Sequence, residues 1–259
     1  MRRVIFNQKG GVGKSTITCN LAAISAAAGE STLVIDLDIQ ANSTQYLLGR
    51  KCADPDATIA RFFHDSLSLN PFGKAQHVQF MGLVQETPFA NLCIIPAHSE
   101  LEPLQSRLES RYKIYKLKEA LEKINDFDRV YIDTPPMLNF YSRSALIAAD
   151  RCLIPFDCDA FSREALDTLF DVIREVRADH NERLSIEGIV VNQFQSRANL
   201  PQKLVEALEQ AGHPVLKSRI SPSVKVRESH SASTPLIHYA PDHKLSDEFR
   251  ALHEELGGD

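Results

Sequence analysis

Residues 8–16 read Gln8-Lys9-Gly10-Gly11-Val12-Gly13-Lys14-Ser15-Thr16. A short apolar run, Val4-Ile5-Phe6, stands directly before them. Behind them Ile17, Leu21, Ile24 and Ala28 recur at helical spacing until Gly29 stops the pattern. Strand, glycine loop and helix in that order constrain this chain more than any other feature. Glycines let the backbone turn until its N–H groups converge, and the helix that begins there adds the positive end of its dipole. Such a loop cradles phosphate. Lys14 is placed to reach terminal phosphates, and the Ser15 hydroxyl to hold Mg²⁺. A dinucleotide fingerprint fails, because Thr16 stands where a third glycine is required. The strict GxxxxGK[ST] pattern also fails, with Gln8 in place of its first glycine.

The remaining apolar runs are short and rich in β-branched residues. They predict strands at Thr32–Ile35, Leu92–Ile95, Arg129–Ile132, Cys152–Phe156 and Ile186–Val191. Helical patterns fall at 14–28, 99–108, 111–124, 140–149, 161–178, 199–211 and 245–256. Alternation of this kind predicts one α/β domain over 1–259, with a mostly parallel sheet covered by helices on both faces. Residues 49–90, with Pro55, Pro71, Gly73, Gly82 and Pro88, break the pattern and are expected to form short helices and loops over one edge. With 259 residues and 43% apolar composition, the chain can bury a core of useful size.

Two further segments carry carboxylates at strand ends. Asp36-Leu37-Asp38-Ile39-Gln40 places two acids at i and i+2, on one side of a strand that ends at the ligand crevice. A pair of loop-capping aspartates is the plainer reading. Val130-Tyr131-Ile132-Asp133-Thr134-Pro135-Pro136 ends a strand in a third acid, followed by two prolines that restrict the loop. Ile189-Val190-Val191-Asn192-Gln193 ends another strand in an amide, which is either a ligand contact or a turn residue.

Together KGGVGKST, DLDIQ and DTPP resemble the deviant Walker A ATPases of the ParA/MinD superfamily. The likeness extends over nearly the whole chain, through Ile154-Pro155-Phe156, Ser223-Val224-Lys225-Val226-Arg227-Glu228 and Pro235-Leu236. Ser233 departs from the glycine usual there, and 49–90 match loosely. The resemblance implies ATP or ADP and Mg²⁺ as cofactors. It implies nucleotide contacts from Lys9, Gly10, Gly11, Val12, Gly13, Lys14, Ser15 and Thr16, with Asn192 on the adenine edge. Asp38 is then the residue that positions or deprotonates the attacking water, and Ser15, Asp36 and Asp133 serve the metal. Lys9 is implied to reach across an ATP-dependent homodimer to the partner's nucleotide, acting as an arginine finger does; a solvated loop lysine is the alternative.

Net charge is −5, which excludes a uniformly basic coat but not a local patch. Residues 197–230 carry such a patch: Arg197, Lys203, Lys217, Arg219, Lys225 and Arg227 against Glu206, Glu209 and Glu228. By resemblance, Arg197, Arg219, Lys225 and Arg227 are candidate contacts to non-specific double-stranded DNA; a mixed solvated surface is the alternative. A ParB-like activator and a place on the nucleoid in the cytoplasm follow from the same resemblance. Close relatives differ in chemistry. The tail Lys244–Gly258 contains Asp247, Glu248, Glu254 and Glu255, so the basic lipid-binding helix of MinD is not expected, nor a membrane partner. Residues 134–149 hold no cysteine for an iron–sulfur cluster, and no cysteine pair is spaced CxxC. The expected function is partitioning of a chromosome or plasmid. A ParA-like ATPase positioning another cargo, or a metabolic P-loop ligase, is the rival reading.

Overall fold

The structure is a computed structural model and describes residues 1–68, 80–158 and 163–257. The expected α/β architecture is present. β1 (Arg2–Ile5) leads through the glycine loop into α1 (Lys14–Ala27), and β2 (Thr32–Asp36) into α2 (Asn42–Leu48). α3 (Ile59–Ser66), β3 (Gln85–Glu86), β4 (Leu92–Ile95), α4 (Leu101–Ser110) and α5 (Lys116–Leu121) precede β5 (Arg129–Asp133). α6 (Phe140–Ala148), β6 (Arg151–Asp157), α7 (Arg163–Asp179), β7 (Ser185–Asn192), α8 (Asn199–Gln210) and β8 (Val215–Arg219) follow. The chain closes with α9 (Val224–Ser231), α10 (Leu236–Tyr239) and α11 (Lys244–Glu255).

Among the described residues the sheet has eight strands in the order β3-β4-β2-β5-β1-β6-β7-β8. All neighbours are parallel except β3 on β4. β1 lies near the middle, between β5 and β6, so the chain moves outward from it in both directions. That is the switch point at which the carboxyl ends of strands open a crevice. The strands read as unbroken apolar runs because both faces are covered: α1 and α11 pack on one side with Val34, Tyr131 and Val190, and α3 to α7 on the other with Leu33, Ile132 and Ile154.

Some boundaries differ from expectation. The helix expected over 111–124 is interrupted: Tyr112 takes a left-handed φ of 53° and α4 is capped by the Lys113 N–H on the Leu108 carbonyl. Only Lys116–Leu121 then resumes as helix, burying Leu117 and Leu121. Within 49–90 the expected short helix is α3, capped by the Thr58 side chain on the Ala60 N–H; Pro71 and Gly73 lie outside the described residues. The start of the helix expected at 161 also lies outside them. Strands β3 and β8 and helices α2, α9 and α10 lie outside the expected elements.

Candidate nucleotide-binding and catalytic site

The site is assembled by three adjacent strand ends. β1 ends at Ile5, in register with Asp133 of β5, and Asp133 is in register with Asp36 of β2. The Thr134 hydroxyl donates to the Ile5 carbonyl at 2.7 Å, fastening the end of β5 to that of β1. Asn7 then shapes the loop entry: its amide donates to the Pro155 carbonyl at 2.7 Å, and its oxygen accepts the Lys9 N–H at 3.0 Å.

The loop turns at Gly11 and Gly13, with φ of 78° and 92°. Gly13 is required twice over, since a Cβ there would also collide with the Asn192 amide. Lys14 opens α1 and folds back so that its ammonium donates to the Lys9 carbonyl at 2.7 Å. Burial pulls its pKa down, against the nearby Asp133 and Asp38, which support the charge. A cleft of about 410 Å³ opens beside Gly10, Gly11, Lys14, Ser15, Thr16 and Asp38. Lys9 is half-buried on the loop and is not among the cleft walls.

The three aspartates have distinct environments. Asp36 is fully buried and both oxygens are engaged: Oδ1 accepts the Asp38 N–H at 3.0 Å, Oδ2 accepts the Thr44 N–H at 2.8 Å and the Thr44 hydroxyl at 2.7 Å. It thereby starts α2, whose first turn has no capping side chain. Asp133 is also fully buried. Its Oδ2 accepts the Ser43 hydroxyl at 2.7 Å, while Oδ1 has no hydrogen bond. Burial raises both carboxyls, and the Asp133 charge raises Asp36 further: Asp36 to about 8, and Asp133 to about 6 against the lowering effect of the Ser15 and Ser43 hydroxyls. Asp38 is 6% exposed and accepts the Gln40 N–H at 3.0 Å. Its carboxyl is raised by burial, with Gln40, Lys14 and Lys51 opposing.

Lys14, Ser15 and Asp38 thus line one cleft, while Asp133 is fully buried, with the Ser15 hydroxyl and the Lys14 charge acting on its carboxyl. Asn192 lies beside the loop: its amide donates to the Val12 carbonyl at 3.0 Å, and its oxygen accepts the Gln193 N–H at 2.9 Å. The four candidate DNA contacts lie at the carboxyl ends of β7 and β8, the same end of the sheet as the glycine loop: Arg219 is the last residue of β8, and Arg197, Lys225 and Arg227 follow the strands. Arg197 is exposed ahead of α8. Arg219 lies 4.7 Å over the Phe194 ring and 3.3 Å from Glu209. Lys225 pairs with Glu228 at 2.7 Å, and Arg227 is exposed. Because Lys225 and Arg227 stand two apart on a helix, they diverge by about 200° rather than sharing one face.

A family model described as AAA domain matches residues 3–186. The chain is 31% identical over 255 residues to sporulation initiation inhibitor protein Soj of Bacillus subtilis (strain 168), covering 97% of this chain and 96% of Soj. It is 34% identical over 241 residues to chromosome partitioning protein ParA of Caulobacter vibrioides (strain NA1000 / CB15N), covering 91% and 85%. The chain belongs to the ParA family. Cobyrinic acid a,c-diamide synthase from Mycobacterium smegmatis, solved with an ATP analogue and magnesium, superimposes with a TM-score of 0.81 at 24% identity, covering 98% of this chain and 92% of that one. That second likeness is one of fold. Among the described residues no helix is long and apolar enough to cross a membrane.

Several residues of this ParA-family site escape sequence reasoning. Ser43 and Thr44 become partners of Asp133 and Asp36 only when α2 folds back over the strand ends. His230 reaches the cleft from α9, more than 200 residues along the chain, with Nε2 at 2.9 Å from the Thr16 hydroxyl. Asn7 alone left a local trace, as a polar residue directly between an apolar strand and a glycine loop.

Proposed function

We propose that this ParA-family ATPase is a partitioning switch: Mg²⁺-ATP drives a homodimer, the dimer holds DNA without regard to sequence, and hydrolysis, stimulated by a ParB-like partner, releases it. The observation that carries the catalytic part is the pairing of a phosphate cradle with the buried, unbonded Oδ1 of Asp133 beside the Ser15 hydroxyl. A carboxylate oxygen with no hydrogen bond in a buried site suits a hard cation with oxygen ligands. Ser15 and Asp133 would hold Mg²⁺, with Asp36 bracing α2 behind them, and the ion when bound neutralises charge on the terminal phosphates.

The chain's own residues do the rest. Loop N–H groups and Lys14 cradle the phosphates. Lys14 exchanges the Lys9 carbonyl for a phosphate oxygen, a stronger acceptor for an ammonium. Asp38 orients the attacking water and accepts its proton as the γ-phosphoryl group moves to the water oxygen, leaving ADP and phosphate. Lys9, five residues ahead of Lys14 on the loop, serves the partner's nucleotide across the dimer.

Asp38→Ala tests this reading. The cradle and metal residues remain, so the variant should bind Mg²⁺-ATP, turn it over at least about tenfold more slowly, and accumulate as a dimer in light scattering. A variant that hydrolyses at the wild-type rate, or binds ATP yet stays monomeric, overturns the assignment.

A further inference from the structure

His230 belongs to α9 yet lines the nucleotide cleft. Its Nε2 lies 2.9 Å from the Thr16 hydroxyl, and its ring stacks on Tyr46 with centroids 3.9 Å apart and planes at 14°. The Tyr46 hydroxyl is 2.9 Å from the Ser229 hydroxyl and accepts from the Asn20 amide at 3.4 Å. That amide also donates to the Thr16 carbonyl at 2.8 Å. Thr16 and Asn20 of α1, Tyr46 of α2, and Ser229 and His230 of α9 therefore form one knot at the cleft wall. Elsewhere on α9, Ser229 is the one fully buried residue, Val226 packs partly on the core, and Glu228 accepts from the Tyr239 hydroxyl of α10 at 3.3 Å.

We propose that His230 is a positioning residue of the nucleotide site and the link through which its occupancy reaches α9. The proposal rests on the ATP-binding reading above for its ligand. A hydroxyl has one proton to give and two lone pairs. Without an anion in the cleft, Thr16 can donate its proton to Nε2. A phosphate oxygen beside Thr16 takes that proton instead, and the bond to His230 survives only if Nε2 carries a hydrogen and donates. Nucleotide binding thus turns His230 from acceptor into donor and fixes one tautomer. The chain Nε2–H to Thr16 to phosphate then holds the C-terminal end of α9 against the site. Arg227 is the i−3 neighbour of His230 on this helix, and Lys225 lies about 7.5 Å along its axis. Both candidate DNA contacts on α9 therefore ride on an element whose anchor is the nucleotide cleft.

Hydrogen exchange of residues 224–231, read with and without Mg²⁺-ADP and Mg²⁺-ATP, tests the link without reference to DNA. In the wild type nucleotide should slow exchange in this helix several-fold. His230→Ala should lose that response and bind nucleotide about threefold to tenfold more weakly, the span of one hydrogen bond. His230→Gln, whose side-chain amide is always a donor, should restore both to within about twofold. A merely structural role would leave Ala and Gln alike. Thr16→Val removes the bond from the other side and should abolish the α9 response as well, which keeps the test open if His230→Ala does not fold. A His230→Ala variant with wild-type affinity and a wild-type response in 224–231 overturns the link. Wild-type protein that shows the α9 response but never binds DNA leaves the link standing and refutes the partitioning reading instead.

Discussion

Asp133→Asn should stabilise the nucleotide-free protein at alkaline pH while damaging its site. Asp133 is fully buried, pairs with Ser43 through one oxygen only, and faces the equally buried Asp36 across the β2–β5 register. Burial raises its pKa from the ordinary aspartate value to about 6, so the folded state holds a proton that the unfolded chain has already lost. Between those limits stability falls as pH rises, because the native state binds more protons than the unfolded one. Above pH 6 the full penalty is present. About two pH units correspond to about 3 kcal/mol, and relief of the repulsion on Asp36 adds to it. An asparagine carries no charge and still offers an oxygen to the Ser43 hydroxyl. The variant should therefore melt several degrees higher at pH 8, at about 2–4 °C per kcal/mol, and the gain should shrink toward zero near pH 4. Thermal unfolding followed by circular dichroism from pH 4.5 to 8.5, without nucleotide, is the assay. Added Mg²⁺-ADP should then raise the melting temperature of the wild type and leave the variant nearly unmoved. A variant less stable than the wild type at pH 8, or a difference independent of pH, would mean that burial of the Asp133 charge costs the fold nothing.

Lys14→Ala should weaken ATP binding at least about tenfold, the scale of one charge-assisted hydrogen bond, whereas Lys9→Ala should stay within about tenfold of wild type and instead lose dimerisation and turnover. Calorimetric titration with light scattering separates the two, and a normal dimer from Lys9→Ala removes the trans role. Asn192→Ala loses the hold on Val12 and, as the proposed adenine contact, should lower ATP affinity about tenfold and erase preference for ATP over GTP. Equal loss for both nucleotides assigns Asn192 to holding the loop alone.

The parts of the site that were legible in the sequence are local ones. A glycine loop between an apolar strand and a helix carries its function in consecutive residues, and Asp36, Asp38 and Asp133 mark strand ends by position. The parallel sheet followed from short, buried apolar runs alternating with helical patterns. What escaped was set by distance or by weak local signals. β8 is a short edge strand, Val215-Leu216-Lys217-Ser218-Arg219, with two cations and no apolar period. α2 starts from Ala41 at φ 55° with no capping side chain of its own, because Asp36, eight residues before Thr44, does the fastening. α9 carries a local signal, Ser223 capping the Lys225 N–H, but its charged residues leave little apolar period to mark the helix. The approach of His230 to Thr16 depends on packing between the first helix and the ninth, and no spacing along the chain encodes it.

If ATP gates attachment to DNA, a salt titration of DNA binding in ATP and in ADP reads the gate. The chain carries a net charge of −5, and within its basic region Arg219 and Lys225 are each paired with a glutamate. One subunit is therefore a weak ligand for a polyanion, and two held on one duplex gain through effective concentration. With about two to three phosphate contacts per subunit, the slope of log K against log salt should be near −4 to −5 in ATP. Lys225→Ala or Arg227→Ala should flatten it by about two, equally for unrelated sequences. In ADP, binding should fall below detection at physiological salt. Equal binding in ADP and ATP, or no loss in a Lys225→Ala, Arg227→Ala double variant, would rule out an ATP-gated patch on α9.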